Sequence, residues 1–181
     1  PDPEGVVEGW LNQHTFKTDE RWYGSVRLAT YSSQLNNNET STTVNVQFGD
    51  SIVLESYSLA STIFHPGDIV QLSLLWTTTS PLNTRYKVFV HIYDDMTTPP
   101  IAQHDSSPVG GLRPTSTWIP GETVVDNHGV MLPINLSPRH YQVLVGLYNS
   151  ETGARLQPIL NNPENIDYLR LGEISVAGQN P

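Results

Sequence analysis

The chain has no cysteine. That excludes a disulfide framework, a thiolate metal site and a cysteine nucleophile. It leaves the compartment open, because a domain of this length does not need covalent staples. Long apolar runs are missing too: no stretch approaches the roughly 18 residues of a membrane helix. Basic residues are scarce, with Lys and Arg totalling 9 against 18 Asp and Glu, for a net charge of −9. Such a surface repels phosphate backbones and anionic lipid, which argues against nucleic acid and basic membrane docking as partners. Glycans, cations and neighbouring proteins remain. The nucleophile elbow GxSxG, the P-loop and the dinucleotide glycine pattern are all absent. Helical periodicity is nearly so.

What is present is alternation. Val70, Leu72, Leu74 and Trp76 fall on one side of a segment whose other side carries Gln71, Ser73 and Leu75. Tyr86, Val88, Val90 and Ile92 oppose Lys87, Phe89, His91 and Tyr93. Val124, Asp126, His128 and Val130 share a face, as do Tyr141, Val143, Val145 and Leu147. Shorter segments of the same kind occupy residues 43–48, 52–58, 101–104 and 167–176, the last with a bulge expected near Gly172. Residues 22–31 are a weaker strand candidate. A short helix is expected at 19–22, where Thr18 and Asp19 resemble a cap. Residues 1–9 read as a linker, and 34–41 and 161–164 as polar loops.

About eight or nine short strands, evenly spaced and separated by Gly/Pro turns, predict an all-β fold. The specific expectation is an antiparallel two-sheet β-sandwich, of jelly-roll (carbohydrate-binding-module-like) or immunoglobulin-like topology. The domain boundary is expected at residue 43. Residues 1–42 form an N-terminal extension partly ordered against the sandwich, and 43–181 form the sandwich. A first residue of Pro1 rather than Met leads to the expectation that this is a piece of a longer protein, with any leader or membrane span outside it.

Candidate sites follow from residue type. Phe89, His91 and Tyr93 share a strand face, and sugar rings stack on flat aromatic rings. Trp118, in a proline-stiffened loop, offers a second platform. These four are the candidate ligand-binding residues. Asp94, Asp95, Asp105 and Asp126 cluster around loops in the style of a Ca²⁺ site, without EF-hand spacing. His91, His104 and His128 lack the tight spacing of a Zn²⁺ site. Glu122 and Asp126 are a carboxylate pair that a glycoside hydrolase would need, but an acidic chain offers many such pairs. No residue is assigned a catalytic role, and the expectation is that the chain is not an enzyme. No cofactor is expected apart from the candidate Ca²⁺.

The segments GDIVQLSLLW, YKVFVHIYDD, AQHDSSP, PTSTWIPGE, VVDNHGVMLP, YQVLVGLYNSETGARL and LGEISV together resemble a known family. It is the C-terminal domain of bacterial polytopic membrane glycosyltransferase-like proteins of the protein-mannosyltransferase type. The resemblance covers residues 44–176, including Trp76, His91, Asp105, Trp118 and Gly146, and gives none of them a role. It implies an extracytoplasmic accessory module of a membrane-associated parent protein, similar in style to carbohydrate-binding sandwiches. A structural or protein-interaction domain without a small ligand is the alternative.

Overall fold

The computed structural model describes residues 5–33, 41–160 and 166–178. A short helix α1 (Val6–His14) is followed by eleven strands: β1 (Thr15–Tyr23), β2 (Val26–Ser33), β3 (Ser41–Phe48), β4 (Ile52–Leu59), β5 (Ile63–Phe64), β6 (Ile69–Thr78), β7 (Tyr86–Tyr93), β8 (Ala102–Ser106), β9 (Val124–Met131), β10 (Arg139–Asn149) and β11 (Leu169–Val176). Two 3-10 turns, Pro108–Gly111 and Thr115–Thr117, sit between β8 and β9.

The strands form two packed sheets, and the protein is an all-β sandwich. One sheet has six strands in the order β2-β1-β9-β6-β4-β3; the other has five, β5-β11-β10-β7-β8. Both are mixed. Seven of the pairings are antiparallel, but β1 joins β9 in parallel at Lys17↔His128, and β5 joins β11 in parallel.

Alternation places the core as expected. Val70, Leu72, Leu74 and Trp76 are fully buried, as are Val88, Val90, Ile92, Val143, Val145 and Leu147. These rows meet between the sheets in one continuous apolar cluster. At about 25 cal/mol per Å² of apolar surface, such burial is the main term holding the sheets together. The bulge expected near Gly172 is present: the register between β10 and β11 steps from Val143↔Gly172 to Leu144↔Arg170. The skipped Leu171 turns its carbonyl to accept a hydrogen bond from the Tyr57 hydroxyl of the other sheet.

Two expectations near the N-terminus are corrected. The segment read as a linker contributes α1 from Val6 onward, and the helix expected at 19–22 is strand β1. Asp19 does not cap a helix. Its carboxylate accepts from the Glu20 backbone N–H at 2.9 Å and from Arg21 Nε at 2.6 Å, within a strand paired to β2 with a register shift between Lys17 and Asp19. α1 ends where Thr15 Oγ1 donates to the Leu11 carbonyl at 2.6 Å. Gly129 lets β1 approach β9: a Cβ there would lie 2.7 Å from Thr18 Cγ2 and 3.1 Å from the Lys17 carbonyl. The polar loops expected at 34–41 and 161–164 lie outside the described residues, apart from Ser41, which opens β3.

Candidate functional site

β8 is the edge strand of the five-stranded sheet, and its inward residues face β9 across the sandwich. There the apolar filling gives way to ionisable groups. Asp126 and His128, both 0% exposed, stand on β9 between Val124 and Val130. Asp126 Oδ1 accepts the Val109 backbone N–H at 2.7 Å, and Oδ2 accepts from His128 Nε2 at 2.8 Å. His128 Nδ1 lies 2.9 Å from His104 Nδ1, on β8. The tautomers follow from this chain of bonds. Since His128 Nε2–H points at a carboxylate, its Nδ1 is free to accept a proton from His104 Nδ1–H. That leaves His104 Nε2 with the lone pair. Burial, followed by the nearby His128, holds the His104 imidazole down to about 3.

His104 lines an open trough of about 490 Å³, together with Lys17, Thr18, Asp19 and Glu20 of β1, Lys87 of β7, and Gln103 to Ser107 with Gly110 and Gly111. Lys17 is only 8% exposed, and its ammonium is clamped by Glu20, with Glu8 at 3.8 Å. The Lys17 hydrogen bond holds the Glu20 carboxyl below its ordinary range. The opposite wall is a left-handed turn: Val109, Gly110 and Gly111 have φ of 53°, 61° and 96°. Positive φ is ordinary for glycine but strained for β-branched Val109. The strained residue is the one that donates to Asp126.

The aromatic candidates do not form an open platform. Phe89 is 1% exposed. Its ring packs on Gly146, and the Arg155 guanidinium lies over it at 4.4 Å from the centroid. His91 is buried, and its Nε2 meets Asp105 Oδ1 at 3.0 Å. Burial works to raise the Asp105 carboxyl, but the His91 hydrogen bond and charge outweigh it and leave the group lowered. Trp118 lies in the core with its Nε1–H donated to the Arg113 carbonyl at 2.8 Å, so it anchors a loop. Tyr93 alone of the four is half-buried.

Nor do the four acids build a Ca²⁺ cage. Asp94 accepts twice from Arg139 Nη1, at 3.0 and 2.8 Å; Asp95 accepts the Thr97 N–H at 2.8 Å. Asp105 holds His91, and Asp126 is sealed in the sandwich. No three His, Asp or Glu side chains converge as metal ligands among the described residues. Glu122 is drawn to Arg113, 2.8 Å away, rather than paired with Asp126. Of the three histidines weighed for Zn²⁺, the structure joins His104 and His128 directly and turns His91 to the opposite face of its sheet.

No family model matches the chain, and no curated protein matches it. Among solved structures, one match is described as "AvmM Catalyzes Macrocyclization in Alchivemycin A Biosynthesis", with a TM-score of 0.33 and 13% identity over 86% of this chain and 96% of that one. Against the expectation that this chain is not an enzyme stands this match, whose description names a catalyst; it shows no activity for this chain. A likeness this slight transfers no reaction, substrate or residue.

Proposed function

We propose that this chain is an extracytoplasmic accessory domain of a larger, membrane-associated protein, and that it holds a hydroxyl-rich ligand, a glycan segment, in the trough beside β8. The observation that carries the binding role is the chemistry of the trough wall. Lys17 and Lys87 line it together with Asp19, Glu20 and Asp105, and so do Gln103, Ser106 and Ser107. Donors and acceptors are both present and the charges largely cancel, which suits a neutral polyol better than a polyanion or an apolar ligand. Recognition rests on hydrogen bonds, because the stacking platform is closed. The extracytoplasmic placement and the parent protein rest on the family resemblance alone.

Calorimetric titration with a panel of gluco-, manno- and xylo-oligosaccharides tests the binding role. Gln103→Ala and Lys87→Ala change exposed or half-buried side chains and should each weaken affinity by about tenfold, the value of one hydrogen bond to a charged or amide group. No heat of binding across the panel would end this reading.

Docking to a neighbouring protein is a second reading, and one observation favours it. Trp22, Tyr23, Val26 and Leu28, around the β1–β2 turn, are each more than half exposed. Trp22→Ser with Leu28→Ser would then abolish association with the adjoining polypeptide in sedimentation while leaving glycan affinity unchanged.

A further inference from the structure

The row His104–His128–Asp126 does more than fill space. The carboxylate is fixed by a strained backbone turn, His128 is fixed by the carboxylate, and His104 is fixed by His128. Among the described residues no protein group bonds His104 Nε2, and His104 lines the trough. A bound hydroxyl or water there meets a ring nitrogen whose other nitrogen already has a proton acceptor behind it.

Resting on the trough as a glycan site, we propose that His104 is the proton-transfer group of a hydrolytic centre that cleaves acyl esters on the bound ligand, with His128 and Asp126 as positioning residues. Water gives a proton to His104 Nε2 as its oxygen bonds to the acyl carbon. The Nδ1 proton of His104 passes to His128 Nδ1, so the positive charge comes to rest beside Asp126. The tetrahedral adduct then breaks its bond to the sugar oxygen. That oxygen takes the proton from Nε2, and His128 returns its proton to His104 Nδ1. Ester and water become carboxylic acid and alcohol, and the three side chains end as they began.

The relay answers an objection to His104 as a base. Alone, a buried imidazole that resists protonation accepts a proton poorly. Here His104 releases one proton as it gains another, and its ring stays neutral.

The choice of ester over glycoside follows from the other groups in the trough. Glycoside cleavage needs an acid and a base on two free carboxyls. Glu20 is clamped by Lys17, Asp19 is held by Arg21, and Asp105 is held by His91. Attack of water on an acyl carbon needs one base and no free carboxyl.

The experiment uses the intact chain with p-nitrophenyl acetate and a mono-O-acetylated disaccharide, alongside calorimetric binding of the unacetylated disaccharide. Wild type should turn over the esters with a solvent deuterium isotope effect. His104→Gln should lower kcat about 100-fold or more at nearly unchanged KM, with disaccharide affinity kept within a few-fold. Asp126→Asn retains an acceptor for Val109 N–H but has one fewer charge beside His128; it should lower kcat about tenfold or more and leave KM alone. This second variant tests the relay independently should His104→Gln not fold. Wild-type turnover no faster than free imidazole, or turnover unchanged in the folded variants, overturns the proposal. Disaccharide binding without turnover removes the ester chemistry and leaves the glycan reading standing; neither binding nor turnover removes both.

Discussion

β6 and β9 are neighbours in one sheet, point into the same layer and are built from opposite materials. Val70, Leu72, Leu74 and Trp76 stand beside Val130, His128, Asp126 and Val124 in register, and all eight are buried. On β6, burial is favourable residue by residue. On β9 the two middle positions are costly to bury unless every hydrogen bond is made, and they are tolerated because the chain runs unbroken from Val109 N–H to His104. The apolar row degrades gradually when cut. The polar row is all or nothing.

The largest effect should come from cutting the polar row at its anchor. Asp126→Ala leaves His128 Nε2–H and Val109 N–H buried without a partner, and should cost about 3–5 kcal/mol in urea unfolding. Leu74→Ala, its neighbour across the ladder, should cost about 2–5 kcal/mol, with the value set by how far the cavity collapses. A sharper comparison replaces the whole row. Asp126→Leu, His128→Leu and His104→Leu together should cost less than Asp126→Ala alone, about 1–3 kcal/mol, since of the row's partners the Val109 N–H is then left without its acceptor. A large loss in the triple variant would mean the row is there for folding, and would weaken the case for a relay.

Acid separates the two strands next. His104 is held near 3 when folded against about 6.5 when free. Between those values the unfolded chain binds more protons than the folded one, so stability present above 6.5 is lost as pH falls toward 3. The limiting slope is about 1.4 kcal/mol per pH unit. His104→Gln should flatten this part of the stability profile, whereas Leu74→Ala should only shift it downward.

Much of this contrast is already visible in the alternation. Asp126 and His128 share a face with Val124 and Val130, which puts two ionisable side chains among core positions. Their partner is not visible there. His104 sits on a five-residue strand of the other sheet, and its approach to His128 depends on how the two sheets close, which period-two patterning does not encode. Lys17 is hidden for a related reason: β1 reaches the trough through a parallel pairing at His128, next to Gly129, and its local sequence resembles a capped helix. α1 is too short to show a stripe and is held by tertiary contacts, among them the Asn127 side chain donating to the Gln13 carbonyl. For β7, alternation gives the aromatic face in the right register but with the wrong exposure. It says that Phe89, His91 and Tyr93 point away from the core; it says nothing of what later chain returns to cover them.

That cover supplies the smallest predicted effect. After β10 the chain turns at Gly153 and brings Arg155 back over Phe89, where the guanidinium lies on the ring and Nη1 meets Asp167 Oδ1 at 3.2 Å. The pair is partly exposed, so the ion pair contributes little and the cation–π contact about 0.5–1 kcal/mol. Arg155→Ala should therefore lower stability by no more than about 1 kcal/mol. Its structural consequence should be larger than its energy, because Phe89 would lose its lid and become open to solvent. Acrylamide quenching does not report on phenylalanine, so the measurement is the ¹H–¹³C aromatic spectrum of Phe89 with a soluble paramagnetic probe. Strong broadening in Arg155→Ala and none in wild type would show that a single side chain separates the closed face from an open one. Titrating the same variant with the oligosaccharide panel would show whether uncovering the ring creates a stacking site that wild type lacks.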